Sequence, residues 1–461
     1  MTAKSRWKQT RLWLQSPDET VVQGLVILAL VLLLWYFIGT PLHFPASVAG
    51  AGLLGLLLLS AIVLGITGGV GERWTHHQTL IVVAVALCLP LYSAIRAKLY
   101  FGQPFIYGVL AERHWWGIAS GPVIFYLLAS ARITPGGLLK SLLTLSWLSL
   151  IGFTAIACLY VFDGELGMEL FEMTAISNFE SRGLRVKFPL YAIVFGAFYY
   201  LALASRENAP ANIMRAGLFI AYIVFISRGR LDIACLGLAL LYVLYASRLY
   251  RRWQAGLAAV CLYGLLAFLV PQLAALSGFS GSVPDEAKDV ATLSEKAKAK
   301  TLVGQTTKDL QKLMAGEHAV VDQGLKARSY SLRIVRERLS DSTTLLLMGS
   351  GRVSNHWQRG FTGAMGTWFY PPELGFIGAI FVYGLIFYTA FVAYSLFLAR
   401  RVFQQAAATD PVVTTTFRWM LVYLLVQFVA GMPLLYPTQF YFTVFACLGL
   451  AALARRTQQS G

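Results

Sequence analysis

The run Val21-Val-Gln-Gly-Leu-Val-Ile-Leu-Ala-Leu-Val-Leu-Leu-Leu-Trp-Tyr-Phe-Ile38 contains no charged side chain. As a helix it is about 27 Å long, close to the roughly 30 Å hydrocarbon core of a bilayer. Lipid offers backbone amides no hydrogen bonds, so a run of this kind crosses as a helix that satisfies them internally. It is longer than the apolar core of a secretory signal, and no small-residue cleavage site follows it, so it is expected to remain as the first span.

Similar runs recur at roughly 46–66, 78–95, 116–131, 138–161, 188–204, 212–226, 232–247, 254–275, 367–398, 414–434 and 438–454, about twelve spans with the first. Composition agrees with that reading. Of 461 residues, 57% are hydrophobic and 13% are charged, whereas a soluble domain carries about 25% charged residues. The mean hydropathy is +0.63. The net charge of +16 is divided among short clusters between apolar runs, which argues for topology signals and against nucleic acid as a partner. Cys88, Cys158, Cys235, Cys261 and Cys447 all lie in apolar runs without CxxC spacing, so neither a disulfide framework nor a thiolate metal site is expected, and no cofactor is indicated.

Basic residues also orient the spans. With Lys4, Arg6, Lys8 and Arg11 in the cytoplasm, alternate connections carry Arg73, Arg132 with Lys140, Arg206 with Arg215, Arg248 with Arg251 and Arg252, and Arg400 with Arg401, and Arg455 and Arg456 also fall inside. The expected fold class is therefore an all-α polytopic membrane protein with both termini cytoplasmic. It divides into a first set of nine helices over 1–277, a large periplasmic loop over 278–366, and three final helices with a short tail over 367–461. Connections as long as this loop are usually functional. Apolar spacing at Leu293, Leu302, Leu310 and Leu313, and again at Leu325, Leu332, Val335 and Leu339, predicts two amphipathic helices in it, over 292–314 and 325–339.

Several charges fall where the topology rule does not call for them. Ser227-Arg228-Gly229-Arg230, followed by Asp232, lies between spans seven and eight on the outer side. It reads either as an i,i+4 ion pair of Arg228 with Asp232 at a tight turn, or as an anion site in which guanidinium forks meet a diphosphate. Arg182, Arg185 and Lys187 precede span six; Arg182 and Arg185 would share a face if helical. Arg333 and Arg336 share a face of the second amphipathic helix, which either rests on anionic headgroups or faces a ligand. Arg352 and His356 lie in Gly349-Ser-Gly-Arg-Val-Ser-Asn-His356, a polar, glycine-rich stretch near a span; a histidine there is a candidate general base or simply a loop residue. His114, beside Glu112 and ahead of Trp115 and Trp116, is explained by an interfacial aromatic belt. Glu373 opens span ten behind Pro371-Pro372, as an arginine's partner or as ordinary N-terminal charge placement.

Ser227-Arg228-Gly229 ending span seven, Gly349-Ser350-Gly351 late in the long loop, and Glu373-Leu374-Gly375-Phe376-Ile377-Gly378 opening the next span resemble the bacterial O-antigen polymerase and O-antigen ligase superfamily of membrane glycosyltransferases. The resemblance covers essentially the whole chain through the order of these motifs on the twelve-helix layout. It implies a GT-C-like, metal-independent enzyme of the bacterial inner membrane that acts on undecaprenyl-diphosphate-linked oligosaccharide. Candidate catalytic residues are Arg228, Glu373 and His356. Candidate diphosphate and sugar ligands are Arg182, Arg185, Arg230, Arg333, Arg336 and Arg352. Implied partners are the lipid-linked substrate, membrane lipids and a chain-length regulator. Ligases of the superfamily carry a His-Asn pair about nine residues before the Glu-x-Gly, where this chain reads Gly363-Ala-Met-Gly-Thr-Trp-Phe. That departure favours a polymerase over a ligase transferring glycan to lipid A core. From other classes, a lipid-linked sugar transporter or flippase, or a non-catalytic scaffold, remains as an alternative; transporters usually show related halves and paired broken helices, and no internal repeat is visible here.

Overall fold

The computed structural model describes residues 46–67, 73–162, 176–179, 183–186, 190–207, 209–227, 230–247, 323–358, 360–365, 371–404, 411–429 and 437–460. These residues are helical apart from turns and one short antiparallel pair, β1 (Ile176–Phe179) with β2 (Gly183–Val186). Five helices among them are long and apolar enough to cross a membrane: Trp74–Phe101, Pro135–Ala155, Pro210–Ser227, Leu385–Gln404 and Pro437–Arg456. Their outward faces keep large apolar side chains in the open, such as Leu99 (72% exposed), Ile151 (62%) and Ile386 (58%). Such a surface is unfavourable in water and is what a lipid-facing helix presents. The runs at 21–38 and 254–275, the helix expected over 292–314, and Arg182, Arg228 and Gly229 lie outside the described residues.

The chain divides into two units. Of the described residues, the first comprises those within 49–146 and 337–460, the second those within 46–48 and 147–336. In the order of the chain, the helices of the first unit are α1 (Ala46–Thr67), α2 (Arg73–Phe101), α3 (Phe105–Ala111), a 3₁₀ segment (Arg113–Ala119) and α4 (Ser120–Ala129). Helix α5 (Pro135–Phe162) leads into the second unit, where α6 (Tyr191–Glu207), α7 (Pro210–Tyr222) and α8 (Arg230–Ser247) follow. Helix α9 (Gln323–Asp341) leads back to α10 (Thr343–Met348), α11 (Phe361–Met365), a 3₁₀ turn (Pro371–Leu374), α12 (Phe376–Tyr383), α13 (Leu385–Gln404), α14 (Pro411–Val429) and α15 (Pro437–Ser460).

In the first unit α4 and α15 pack most intimately, because small residues let their backbones approach. A Cβ on Gly121 would stand 3.0 Å from the Tyr441 carbonyl oxygen, and one on Gly449 would stand 2.9 Å from Leu128 Cβ. Fully buried Trp115 anchors the end of this interface, edge-on to Tyr383, Phe387 and Phe391. Gly117, two residues on, faces Thr438 so closely that a Cβ would lie 2.3 Å from its Oγ1. Gly117→Ala is therefore expected to cost about 1–2 kcal/mol by overpacking. Thr438→Ala in the same chain should recover most of it, as read by thermal unfolding of the detergent-solubilised protein.

In the second unit α6 and α7 pack together through Phe219, stacked on Tyr200, with Trp147 edge-on to both rings. Proline at the first turn of α7 starts it where its missing amide is no loss. At its far end the chain widens into a π-helical turn, Ile223–Ser227, a form that occurs mostly as single turns and often at functional sites.

The all-α class holds for the described residues, which are almost entirely helical, with β1 and β2 their one strand pair. Two expectations change. Arg185 sits on β2, opposite Ser177, where a helical face was expected; Arg182, the other residue expected on that face, lies outside the described residues. The tenth span, read as one helix over 367–398, is a 3₁₀ turn followed by α12 and α13, broken at Gly384, whose φ of 82° no helix accommodates. The amphipathic helix expected over 325–339 is present as α9.

Candidate functional site

Tyr383 closes α12, and the chain that precedes it in sequence by some thirty residues is laid across it. Ser342 caps α10 by accepting from the Leu345 amide at 3.2 Å, and α10 stops at Gly349, with φ 72°. The chain then runs extended alongside the end of α12: the Ser350 and Gly351 amides donate to the Phe381 and Val382 carbonyls at 2.8 and 2.9 Å. Its other side lies on α2. A Cβ on Gly351 would stand 2.2 Å from the Ser93 carbonyl oxygen and 2.4 Å from the Ala97 nitrogen, so only glycine fits, and its φ of 78° requires the same residue. Arg96 Nε donates to the Gly349 carbonyl at 2.9 Å, and the Tyr92 hydroxyl donates to the Met348 carbonyl.

Arg352 follows, held at both backbone ends. Its amide donates to Ser93 Oγ at 2.9 Å and its carbonyl accepts from Gln103 Nε2 at 3.2 Å, while Gln103 Oε1 accepts from the Ser354 amide at 2.7 Å. Ser93, Gln103 and Ser354 are buried. Side chain–backbone bonds of this density fix the path of the chain through Arg352.

That side chain meets a buried acid. Glu112 is the residue between α3 and the 3₁₀ segment, with φ −99° and ψ 5°, where the chain changes direction. Its Oε1 accepts from Ser93 Oγ at 2.7 Å and its Oε2 from the Tyr383 hydroxyl at 2.9 Å; that hydroxyl accepts from Trp115 Nε1 at 3.0 Å. Arg352 Nη1 lies 3.9 Å from Glu112 Oε2 and 3.2 Å from His114 Nε2, and His114 Nε2 lies 3.7 Å from the same carboxylate oxygen. The first of these is ion-pair range but beyond a hydrogen bond. The Glu112 side chain is fully buried, whereas those of Arg352 and His114 keep 22% and 13% of their surface. Burial pushes the Glu112 carboxyl above the usual range, outweighing the opposing pull of Arg352 and of its hydrogen bonds from Ser93, Tyr383 and Trp115. The arrangement is an acid at the bottom of a polar cluster with a guanidinium and an imidazole above it, groups able to meet an anion or a sugar hydroxyl.

Of the residues singled out in the sequence, the structure thus brings Arg352 and His114 together with Glu112. His356 is exposed, four residues beyond Arg352, its amide donating to Ser354 Oγ at 3.3 Å. Arg333 and Arg336 are exposed on α9. Arg230 opens α8 and Glu373 lies in the 3₁₀ turn before α12, but their side chains, with that of Arg185, are outside what is described. Sequence reasoning passed over Ser93, Gln103 and Tyr383, which look like ordinary span residues, and named Glu112 only as a neighbour of His114. The available signal was an acid standing between two apolar stretches.

No family model and no curated protein matches this chain.

Proposed function

We propose that this chain is a membrane glycosyltransferase that polymerises undecaprenyl-diphosphate-linked oligosaccharide repeat units at the periplasmic face of a bacterial inner membrane, on a scaffold of about twelve spans with a GT-C-like layout. The observation that carries this reading is the fixing of Arg352 over buried Glu112 by the Gly349-Ser350-Gly351 turn, one of the three motifs on which the family resemblance rests. A buried acid is expensive to retain in a chain of this composition, and ionisable groups of this kind mark substrate paths in membrane proteins. The π-helical turn directly before Arg228 adds a second irregularity at a motif position.

In this reading the acceptor hydroxyl of one repeat unit attacks the anomeric carbon of the lipid-linked unit. The bond from that carbon to the diphosphate oxygen breaks, and the diphosphate leaves with the bonding electrons. Arg228, with Arg182, Arg185, Arg230, Arg333, Arg336 and Arg352, supplies the cationic surroundings for that charge, the kind of preorganised stabilisation that dominates group transfer. His356 takes the hydroxyl proton, and Glu373 orients an arginine. The substrate, neighbouring lipids and a chain-length regulator are the proposed partners, and no metal is required for this chemistry.

The test is complementation of a strain lacking the gene, scored by gels of surface polysaccharide and lipid-linked intermediates. Wild type is expected to restore a ladder of chain lengths where the deletion leaves single repeat units on lipid A core, while Arg228→Ala and Arg352→Ala each reduce it at least tenfold. Full-length polymer stranded on the undecaprenyl carrier would instead indicate a ligase, and unpolymerised units held on the cytoplasmic leaflet would indicate a flippase. Intact polymer from both variants would favour a scaffold.

A further inference from the structure

Helix α2 is longer than a bilayer requires. Its apolar span covers 28 residues, Trp74–Phe101, whereas about twenty cross the hydrocarbon core. With Trp74 at one boundary the core ends near Ser93, so the turns from Arg96 to Phe101 stand at headgroup depth, where rings such as those of Tyr100 and Phe101 collect. Two stripes run along this end of the helix. Tyr92, Arg96 and Tyr100 recur every four residues and share a face. Leu91, Ile95 and Leu99, each one residue earlier, form the stripe beside it, and all three are exposed. Leu347 and Met348 are exposed as well, at the end of α10 that the Tyr92 hydroxyl reaches. The two cations on the polar stripe are each held by one bond. Arg96 uses Nε alone, donating to the Gly349 carbonyl at 2.9 Å, and its Nη1–Nη2 edge makes no hydrogen bond among the described residues. Arg338 uses Nη1 alone, donating at 3.1 Å to the hydroxyl of Tyr100, one turn beyond Arg96. Among the described residues neither guanidinium forms an ion pair, and exposed Asp341, three residues after Arg338, is bonded to neither.

We propose that Arg96 and Arg338 form a site for the phosphate of an anionic phospholipid, in the leaflet at the Phe101 end of α2, with an acyl chain lying along Leu99, Ile95 and Leu91. A guanidinium edge matches two phosphate oxygens, and an arginine already held at one nitrogen loses little conformational freedom on binding. The phosphates of a bilayer lie at the depth of Arg96, and the apolar stripe descends from Leu99 at that level into the hydrocarbon at Leu91. Charge and apolar surface thus stand in the order in which a phospholipid presents its own. The surface opens onto bulk lipid, where a phospholipid phosphate is far more abundant than the diphosphate of a carrier lipid. Two arginines favour phosphatidylglycerol, with its net negative charge, over zwitterionic phosphatidylethanolamine. The site is separate from the buried acid and does not depend on the glycosyltransferase reading.

The experiment is native mass spectrometry of the delipidated full-length chain, titrated with phosphatidylglycerol or phosphatidylethanolamine of identical acyl chains. The variants are Arg96→Gln and Arg338→Gln, whose amides can still donate to the Gly349 carbonyl and the Tyr100 hydroxyl. Lys98→Gln is the control, an exposed cation two residues from Arg96 and therefore off its face. Wild type is expected to prefer phosphatidylglycerol, and each arginine variant to lose about fivefold of that affinity, the worth of one cation at a membrane surface. Lys98→Gln should leave the affinity unchanged. Equal losses in all three variants would mean diffuse attraction by surface charge and overturn the proposal. Equal affinity of wild type for the two lipids would overturn it as well. Displacement of bound phosphatidylglycerol by equimolar undecaprenyl diphosphate in wild type but not in Arg96→Gln would assign the site to the carrier lipid instead. Should Arg96→Gln unfold early, Arg338→Gln decides the matter alone, since its one bond lies at the surface.

Discussion

Replacing Gly351 by alanine should destabilise the protein by about 3 kcal/mol or more, the sum of a left-handed backbone forced on an L residue and an overpacked contact. The atoms that the new Cβ meets are the Ser93 carbonyl oxygen at 2.2 Å and the Ala97 nitrogen at 2.4 Å, both in the backbone of α2, so no side chain can swing aside. Relief requires the turn to lift off α2, and lifting it withdraws the Arg352 amide from Ser93 and the Arg352 carbonyl from Gln103. Gly102 supplies the comparison. Its φ is 76°, nearly that of Gly351, but a Cβ there meets nothing within 4 Å. Gly102→Ala should therefore show the conformational part alone, about 1 kcal/mol. Thermal unfolding of both variants in the same detergent separates the two contributions. Equal midpoints for the two would mean that the contact with α2 is not a tight one.

Glu112→Leu is expected to cost about 2–4 kcal/mol, although leucine is similar in size and better suited to a buried position. The loss comes from the groups left behind: the Ser93 and Tyr383 hydroxyls each lose an acceptor in a site closed to water, at about 1–3 kcal/mol apiece. Arg352 keeps part of its surface and can turn to solvent, which limits the further penalty. The pH dependence distinguishes this from a simple packing defect. Because burial raises the Glu112 carboxyl in the folded chain, the folded state binds more protons than the unfolded one at pH values above the ordinary glutamate range. Stability from this group is therefore greatest at low pH, declines as pH rises from about 4.5 towards the raised value, and is level beyond it. The Glu112→Leu chain should lack that decline, so the gap between the two proteins should narrow as pH rises. A gap that widens over that range would show that the carboxyl is not raised.

Much of the helical layout could be read in the sequence because it depends on local composition. A lipid-facing helix must be apolar at every exposed turn, and Leu241 or Ile151 satisfies that condition without reference to any distant residue. Helix α9 was legible for the same reason, its apolar positions recurring at helical spacing. The break at Gly384 was not, since an isolated glycine in an apolar run is usually tolerated; it becomes a break because the backbones of Leu347 and Gly349 lie against it, 2.3 and 2.7 Å from where its Cβ would be. The site shows the same division. Arg352 was legible as a cation in a glycine-rich turn, but its acid was not, because Glu112 and Arg352 lie far apart in the chain and nothing local to either identifies the other. Ser93 and Tyr383 carry hydroxyls that inside a span usually return to their own helix, as Ser146 does to Leu142.

The distances along the chain have a consequence for biogenesis. Ser93 and Arg352 are 259 residues apart, and Glu112 and Tyr383 are 271 apart. At roughly 5–20 residues per second, a ribosome needs on the order of 15 to 50 seconds between making the first member of each pair and the second. Throughout that interval α2 and the Glu112 bend exist without the groups that later enclose them, and the carboxylate must be tolerated by water, lipid or the insertion machinery. The polar cluster is then among the last parts of the protein to assemble. A chain terminated before residue 349 would keep its early helices yet lack the turn that seals Ser93, Gln103 and Glu112, leaving quality-control proteases a feature by which to recognise it.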